Sequence, residues 1–416
     1  MRPPEIRDIV VEFDGQDLSK YGLFPLFAWY WNDVIHLPDY FAQISANRKR
    51  NHNRKRPGRK PQYTDAQMCM GLVAISTLGI PRIYQIDDWL ASETQLAPLI
   101  GLPRFFDPST AHRYLNRFQK WHVAPLDQVN TAVLASHGES MRQDVVLLDI
   151  DSQTHTLESR KREGAVVGKN RKKPGKPCLQ WNVGFVRGEA VSQRLMAGNT
   201  HGKTSLKGLI GDVRKKLSSP PSILRLDGGY LSGETLNSLV AEQFYFCMAA
   251  RYDWILAQGI CLDEAKWRRC DPKTRLYELS KCRVVSTTAH ELRTLWVEKE
   301  QDPFPLSKSG KKILRYGIVE RLPFSPEPEE LYQFYHGRQT IEQFFKESVG
   351  PFNAGKLPSQ KFRGNEAYLQ LVTIAENCCV LLKKKYFPSI GGAVVWKPSA
   401  IVSFIMGHRL KGSMGS

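Results

Sequence analysis

The sequence predicts an α/β protein in which a helical N-terminal region precedes a mixed core that contains a β-rich insertion. Three observations predict this class. Apolar residues recur at helical spacing over residues 63–140, whereas short apolar and β-branched runs take over from residue 144. Residues 251–326 then break the rhythm of the core with strand-like runs joined by polar turns. The 416 residues are enough for two or three domains with cores of their own.

Six segments follow from these changes of pattern. They are an N-terminal segment with a basic arm (1–62), a helical region (63–140), the first part of the core (141–250), the insertion (251–326), the second part of the core (327–390) and a C-terminal tail (391–416). The two core segments belong together because a last apolar helix, NEAYLQLVTIAENCCVLLKKK, is predicted to close the core.

The chain is strongly basic, with 59 Lys and Arg against 41 Asp and Glu and a formal net charge of +18. An excess of this size favours a polyanionic partner, and its clustering indicates nucleic acid. Eight cysteines without a compact spacing indicate reduced thiols rather than a disulfide framework. The acidic residues in MRPPEIRDIVVEFDG argue against a signal peptide, and the apolar runs are too short to cross a membrane. We therefore expect a cytoplasmic protein without a membrane partner.

Two basic runs are candidate DNA contacts. SANRKRNHNRKRPGRKPQ, residues 45–62, carries eight positive charges and no acid, which predicts a mobile arm. RKREGAVVGKNRKKPGKP, residues 160–177, is predicted to form a loop beside the core. Counterion release favours such clusters on DNA, and a solvated linker or hairpin tip is the alternative for each. The candidate contacts are Arg48, Lys49, Arg50, Arg54, Lys55, Arg56, Lys169, Arg171, Lys172 and Lys173.

The helical region has two open interpretations. One helix begins after Thr64 or Asp65, and another begins in DPSTAHRYLNRFQKW and carries Arg113 and Arg117. These helices are predicted either to bind DNA as a helix-turn-helix, with the two arginines as contacts, or to form a small bundle that only packs on the core. No turn glycine fixes the geometry of the helices, so the sequence leaves both interpretations open.

The core elements follow the order β-β-β-α-β-α-β. Strands are predicted in DVVLLDID, LQWNVGFVRG, EAVSQRLMAG, PSILRLD and FYFCMAA, and helices in TSLKGLIGDVRKKL and ETLNSLVAEQ. This is the element order of an RNase H-like core. Within the insertion, strands are predicted in CRVVSTTA, LRTLWVEKE and KKILRYGIVE. One helix is predicted to start after SPEPEE and to run through YHGRQTIEQFFKE, with Ile341 and Phe345 facing the core.

Three carboxylates are predicted to meet at one edge of this core. Asp151 is placed at the end of the first strand, Asp227 at the end of the fourth, and Glu342 on the helix after the insertion. The first and fourth strands are neighbours in an RNase H-like sheet, and that helix packs near their ends. Convergent carboxylates repel one another unless a cation joins them, and Mg²⁺ prefers oxygen ligands. Two such ions activate the attacking oxygen and stabilise the leaving oxygen in phosphodiester chemistry.

Each acid also has a simpler interpretation. Asp149 shares the strand face of Asp151 and is its rival, while Asp227 before two glycines is also typical of a turn. Glu342 has the i,i+4 spacing to pair with a basic residue one turn away on either side, for about 0.2–0.5 kcal/mol per pair. The placement of all three acids on the expected elements, in the expected order, favours a shared site.

The stretches LDIDSQT, LRLDGGY and YHGRQTIEQFFKE resemble those of the DDE transposases of bacterial insertion sequences. The resemblance covers about residues 60–385 and is greatest to the branch with a β-rich insertion and a Tyr-Arg-Glu-Lys helix signature. Tyr335, Arg338 and Glu342 match that signature. Val349 stands where the signature has its lysine, and Lys346 is a nearby lysine on the same helical face.

The resemblance implies a transposase with an endonuclease step. Such an enzyme would bind the inverted terminal repeats of its insertion sequence, cleave the DNA ends and join them to target DNA in cut-and-paste transposition. The three acids would hold two Mg²⁺ ions, for which Mn²⁺ can substitute, while Tyr335, Arg338 and Lys346 would contact DNA phosphates. Its partners would be double-stranded DNA and, in the paired-end complex, a second copy of the chain as a homodimer. Its location would be the nucleoid of the bacterial cytoplasm.

Two alternative functions remain open. One is an RNase H-like DNA nuclease that cuts without joining, and the other is a domesticated DNA-binding protein without activity. The presence of all three acids argues against the second, and strand transfer distinguishes the first. Trp254, Trp267 and Trp296 in the insertion are candidates for stacking on a flipped base, with a place in the core as the alternative for each.

Overall fold

The computed structural model describes residues 19–50, 61–168, 170, 173–200, 202–253, 260, 262–301 and 312–387. Within these ranges the chain forms a ten-stranded mixed sheet with packed helices. No helix among the described residues is long and apolar enough to cross a membrane. The seven cysteines in the described ranges are free thiols, and most are buried, as the sequence predicts.

The helices and strands are numbered in chain order. The helices are α1 (Phe24–Trp29), α2 (Leu37–Arg50), α3 (Asp65–Thr77), α4 (Ile86–Leu90), α5 (Pro108–Asn116), α6 (Lys120–His137), α7 (Gly202–Lys216), α8 (Gly233–Ala241), α9 (Pro328–His336), α10 (Gln339–Val349) and α11 (Phe362–Tyr386). The strands are β1 (Val146–Thr156), β2 (Val166–Val167), β3 (Pro177–Val186), β4 (Glu189–Ala197), β5 (Pro221–Leu226), β6 (Tyr245–Arg251), β7 (Arg268–Asp271), β8 (Thr274–Cys282), β9 (Leu292–Gln301) and β10 (Lys312–Arg321).

The sheet places β1 beside β5, as the sequence predicts. Its strand order is β2-β3-β1-β5-β6-β10-β9-β8-β7, and β4 pairs with β3. β3 runs antiparallel to both β1 and β4, whereas β1, β5 and β6 run parallel to one another. The predicted order of strands and helices from β1 to β6 is confirmed, with the two-residue β2 as an addition. Because β1 and β5 are parallel, the residues that follow their last shared pair leave the sheet at the same edge.

Both faces of β3 are covered. All ten of its residues are buried, which is the pattern of a strand inside a layered α/β core. On one face, Trp181 packs against Phe344 and Phe345 of α10. On the other face, a Cβ at Gly184 would lie in van der Waals range of Leu209 in α7. α10 is therefore fixed to the sheet by aromatic packing, and Phe345 faces the core as predicted.

The predicted insertion is a continuation of the same sheet. β10 pairs antiparallel with β6 and then with β9, so β7–β10 extend the core sheet beyond β6. The strand predicted in CRVVSTTA is wrong except for its first residue, since β8 ends at Cys282. The chain turns there because Thr288 Oγ1 and the Ala289 N–H both donate hydrogen bonds to the Asn237 side chain of α8.

The helical region packs on the core through the closing helix α11. α11 lies against α3, α5 and α6, and one apolar cluster joins these helices to the sheet. α3 begins as predicted, with a capping box in which the Gln67 N–H donates to Thr64 Oγ1 at 3.1 Å. It is buried from Met68 to Thr77. The packing agrees with the bundle interpretation, while DNA contact by this region stays a prediction.

The prediction of a mobile arm over residues 45–62 is wrong for its first part. Residues 45–50, with Arg48, Lys49 and Arg50, form the end of α2. The sequence pattern missed this because α2 begins in the apolar stretch before the basic run and extends into it. Arg54, Lys55 and Arg56 lie outside the described residues.

Candidate active site

Asp151 lies inside β1 and not at its end, which corrects the sequence prediction. β1 continues to Thr156 because its antiparallel pairing with β3 continues to Cys178. Its parallel pairing with β5, however, ends at Ile150 opposite Leu226. Asp151 is therefore the first residue of β1 beyond the shared ladder, and Asp227 is the first residue after β5. The two acids leave adjacent parallel strands at the same level.

Asp227 begins a short turn, as its position before two glycines predicts. It caps the 3-10 turn Gly228–Tyr230, and its Oδ2 accepts a hydrogen bond from the Gly229 N–H at 3.4 Å. A Cβ at Gly228 would lie 3.2 Å from the Ala249 carbonyl oxygen of β6. Glycine thus lets this turn pass close to the neighbouring strand. Asp151 and Asp227 both line one cavity of about 1500 Å³.

Glu342 lies in the first turn of α10 and is exposed. The single helix predicted through this stretch is in fact two helices, α9 and α10, separated at Gly337 and Arg338. The break occurs because the Arg338 N–H donates to the Tyr335 carbonyl at 3.2 Å, three residues back rather than four. Tyr335 therefore lies in the last turn of α9, and Glu342 lies in the first turn of α10.

Arg338 is buried against Asp151. Its Nη2 lies 3.4 Å from Asp151 Oδ2, and its guanidinium carbon lies 5.9 Å from the centre of the Tyr335 ring. Both Arg338 and Tyr335 are only 8% exposed. Nη1 of Arg338 is buried and finds no hydrogen-bond partner among the described residues. Arg338 thus supplies positive charge inside the site, with one donor left unpaired.

The carboxyl of Asp151 is electrostatically linked to the other two acids. Burial raises the pKa of Asp151, the Arg338 guanidinium opposes this rise, and the charges of Asp227 and Glu342 add to it, so that the pKa comes to about 6. Removing a carboxylate from water disfavours its charged form, and so do like charges nearby. A cation at this edge would relieve both effects. The structure therefore brings Asp151 and Asp227 together and holds Glu342 within electrostatic range.

The acids do not yet form a closed metal cage. Among the described residues, no group of three His, Cys, Asp or Glu side chains is arranged to hold a metal ion. Glu342 does not belong to the lining of the cavity that Asp151 and Asp227 share. The donors that are present are carboxylate oxygens, which suit the hard cations Mg²⁺ and Mn²⁺. Asp151 and Asp227 thus fit such an ion, and Glu342 would have to approach them to complete the set.

Asp149, the alternative to Asp151 as the catalytic acid, is already bound by an arginine. Its two carboxylate oxygens accept hydrogen bonds from Arg225 Nε at 2.6 Å and Nη2 at 2.7 Å. Both side chains are 8% exposed. A carboxylate bound in this way has little capacity left for a metal ion, which favours Asp151 as the ligand.

Two residues of the site were not predicted from the sequence. Arg225 stands two positions before Asp227 in LRLD, and an arginine in an apolar strand was the available signal. Tyr230 follows Asp227 in DGGY, is buried and lines the cavity. Burial and the charge of Asp151 raise the pKa of Tyr230, so its hydroxyl keeps its proton.

The remaining predicted contacts are scattered. Lys346 is exposed on α10, whereas Val349, at the lysine position of the signature, packs against Gly355. Arg113 and Arg117 are exposed at the end of α5. Lys173 pairs with Glu158 at 3.0 Å. Lys169, Arg171 and Lys172 lie outside the described residues.

The tryptophans of the insertion differ in exposure. Trp296 is fully buried in β9, which favours its place in the core. Trp267 is half-buried, and the Arg275 guanidinium lies 4.5 Å above its ring. Trp254 lies outside the described residues. Base stacking therefore stays a prediction for Trp267 and Trp254.

Comparison with known proteins gives a family match over most of the core. The family model described as "Transposase DDE domain" matches residues 143–378, more than half of the chain, and includes all three acids. No curated protein sequence matches the chain. Among solved structures, it is similar to the cryo-EM structure of a piggyBac transposase synaptic complex with hairpin DNA, at 14% identity. That similarity covers 93% of this chain and 81% of the other, with a TM-score of 0.43.

Proposed function

Because the chain belongs to the transposase DDE-domain family, we propose that it cleaves DNA at the ends of a mobile element and joins those ends to target DNA. One observation carries this proposal beyond the family. Asp151 and Asp227 leave adjacent parallel strands at the same level and line one cavity, with Glu342 in electrostatic range. The strand order β4-β3-β1-β5-β6, with β3 antiparallel to both its neighbours, supports an RNase H-like core.

The three acids would hold divalent cations, with Mg²⁺ as the physiological ion and Mn²⁺ as a substitute. Two such ions supply activation of the attacking oxygen and stabilisation of the leaving oxygen. Asp151 is suited to this role because burial and neighbouring acids make it a carboxyl that gains most from a cation. Arg338 offsets part of the negative charge until the ion binds. Glu342, exposed in the first turn of α10, would complete the set.

Double-stranded DNA is the proposed partner, as inverted terminal repeats and as target. The net charge of +18 favours its binding. The exposed Lys346 and the unpaired Nη1 of Arg338 lie on the helix and turn that carry Glu342, where DNA phosphates would pass. The basic runs around residues 48–56 and 169–173 would contact the backbone farther away. Action as a homodimer in a paired-end complex, and an origin in a bacterial insertion sequence, belong to the same proposal.

The test uses a supercoiled plasmid that carries the coding sequence with its native flanking DNA. We expect the purified chain to cleave this plasmid in Mg²⁺ or Mn²⁺ and to join the ends to a second plasmid. Asp151→Ala, Asp227→Ala and Glu342→Ala should each abolish cleavage while the protein still binds the flanking DNA. Cleavage without joining would instead identify a nuclease, and binding without cleavage in wild type would contradict the proposal.

A further inference from the structure

We propose that Arg225 is a positioning residue, which fixes the turn between α9 and α10 and thereby sets where Arg338 and Glu342 stand relative to Asp151. The inference rests on the proposed function. Arg225 lies on β5, two residues before Asp227, but its side chain is held by other partners. It therefore acts through its neighbours and does not touch the acids of the site.

Arg225 first joins the two strands that carry the acids. It stands directly opposite Asp149 in the parallel pair of β1 and β5. Nε and Nη2 donate to the two oxygens of Asp149 at 2.6 and 2.7 Å, a side-on pair in which both groups are buried. Burying two charges costs several kcal/mol per ion, and replacing a buried ion pair by apolar side chains is often neutral or stabilising. The pair therefore calls for a role other than stability.

The third nitrogen of the Arg225 guanidinium indicates what that other role is. Nη1 donates to the Phe334 carbonyl oxygen in the last turn of α9 at 2.6 Å, and the guanidinium carbon lies 5.2 Å from the centre of the Phe334 ring. In a continuing helix this carbonyl would accept from the N–H of Arg338. That N–H donates to the Tyr335 carbonyl instead, so the guanidinium takes its place at the end of α9.

The turn between α9 and α10 packs directly against Arg225 at Gly337. A Cβ at Gly337 would lie 2.6 Å from Nη1 of Arg225, which no side chain tolerates without movement. Gly337 has an ordinary right-handed helical φ of −54°. Glycine is required here for space and not for backbone conformation.

The turn leads directly into the site. Arg338 follows Gly337 and reaches Asp151 at 3.4 Å, and Glu342 follows one helical turn later. One guanidinium thus links β1, β5 and the start of the segment that carries the third acid. A displacement of about 1 Å in such a segment is enough to slow a reaction about 100-fold.

The experiment compares Arg225→Lys with Arg293→Lys. Lysine keeps the charge but cannot bind two carboxylate oxygens and a carbonyl together. Arg293 is the control, since its guanidinium also binds carboxylate oxygens and a backbone carbonyl, but these belong to Glu278 of β8, Glu320 of β10 and Pro326 in the loop before α9. We expect R225K to slow cleavage of the flanked plasmid about 10- to 100-fold with unchanged DNA affinity, and R293K to cleave like wild type.

A second pair of variants tests the same contact without altering the ion pair. Gly337→Ala should slow cleavage as R225K does, whereas Gly211→Ala on α7, where a Cβ meets nothing within 4 Å, should not. The double variant R225K/G337A should be no slower than either single variant, because each disturbs the same contact. Wild-type speed for R225K, an equal loss in R293K, or multiplied losses in the double variant would overturn the inference.

Binding of Mn²⁺ to the protein alone, measured by electron paramagnetic resonance, separates this inference from the proposed function. R225K and G337A should weaken Mn²⁺ binding about tenfold relative to wild type and to R293K. If wild type binds Mn²⁺ but never cleaves DNA, the proposed function fails while this measurement still decides the inference. If wild type does neither, both fail.

Discussion

At the scale of single residues, Asp149 and Asp151 show how environment separates two identical side chains. They lie two positions apart on the same strand face. Asp149 is held by two short hydrogen bonds from a buried guanidinium. Asp151 accepts one from the Ser152 N–H at 2.7 Å, lies 3.4 Å from Arg338 and lines the cavity. The first carboxylate is satisfied by the protein, and the second is available to a ligand. We expect Asp149 to govern stability and to affect activity only through Arg225, and Asp151 to govern activity directly.

Asp149→Ala should therefore mainly lower the stability of the protein, and Asp151→Ala should mainly abolish its activity. Asp149→Ala leaves the Arg225 charge buried and unpaired, which should lower the free energy of unfolding by about 3–5 kcal/mol. Asp151→Ala should abolish plasmid cleavage and lower the free energy of unfolding less than Asp149→Ala does, because the loss of an unfavourably buried carboxyl offsets part of the cost of leaving Arg338 without its partner. Denaturant titration and plasmid cleavage measure the two quantities. Normal cleavage by Asp151→Ala would show that the assignment of the acid is wrong.

At the scale of elements, α10 is attached to α11 by a buried polar contact. Ser348 of α10 and Glu376 of α11 are 0% and 1% exposed and hydrogen-bond to each other. The Ser348 hydroxyl also lies 2.9 Å from the Phe344 carbonyl, to which it donates its single hydrogen. A protonated Glu376 can then donate to Ser348 Oγ. Burial raises the pKa of Glu376 well above its usual 4.5, so the neutral acid fits both observations.

This contact predicts how stability depends on pH. Above about pH 4.5 the unfolded chain releases the proton of Glu376, while the folded chain retains it, so the free energy of unfolding falls as pH rises. The fall is about 1.4 kcal/mol per pH unit until the folded-state pKa is reached. Glu376→Gln keeps a side chain that can donate a hydrogen bond but cannot ionise. It should therefore remove this decrease in the free energy of unfolding.

Thermal unfolding between pH 5 and pH 8 measures the effect. The melting temperature of Glu376→Gln should exceed that of wild type at pH 8 and approach it at pH 5. Glu242→Gln, which removes an exposed carboxylate at the end of α8, is the control and should follow wild type. A parallel pH dependence in wild type and Glu376→Gln would mean that Glu376 is charged in the folded protein.

Periodicity predicted the order of elements but not the contacts that shape the site. The strand before Asp227 and the helix that carries Ile341 and Phe345 follow from local apolar spacing, which sequence displays directly. The break at Gly337 depends on Arg225, which is 109 residues from its carbonyl partner Phe334. The choice between Asp149 and Asp151 depends on the same arginine, 76 residues from Asp149. Pairings across such distances appear only when the sheet is assembled.

At the scale of the whole molecule, the helical region packs on the core with one face and leaves another face exposed for contact with DNA. α5 rests on α11 through its buried face, and Tyr114 and Leu115 belong to the apolar cluster of the core. Arg113 and Arg117 lie on the opposite, exposed side. Packing on the core and contact with DNA are therefore compatible, which the sequence alone presented as alternatives.

The salt dependence of DNA binding distinguishes packing alone from packing with DNA contact. If Arg113 and Arg117 each neutralise a phosphate, replacing both by Gln should make the plot of log affinity against log salt shallower by about 2. Arg187 and Arg214 form the control pair, because they are also exposed but lie on the turn between β3 and β4 and on α7. Their replacement by Gln should leave the slope unchanged. Both pairs are on the surface, so melting temperatures should stay close to that of wild type. An unchanged slope for the Arg113 and Arg117 variant would restrict the helical region to packing, because a lost phosphate contact must release fewer counterions whatever the DNA sequence.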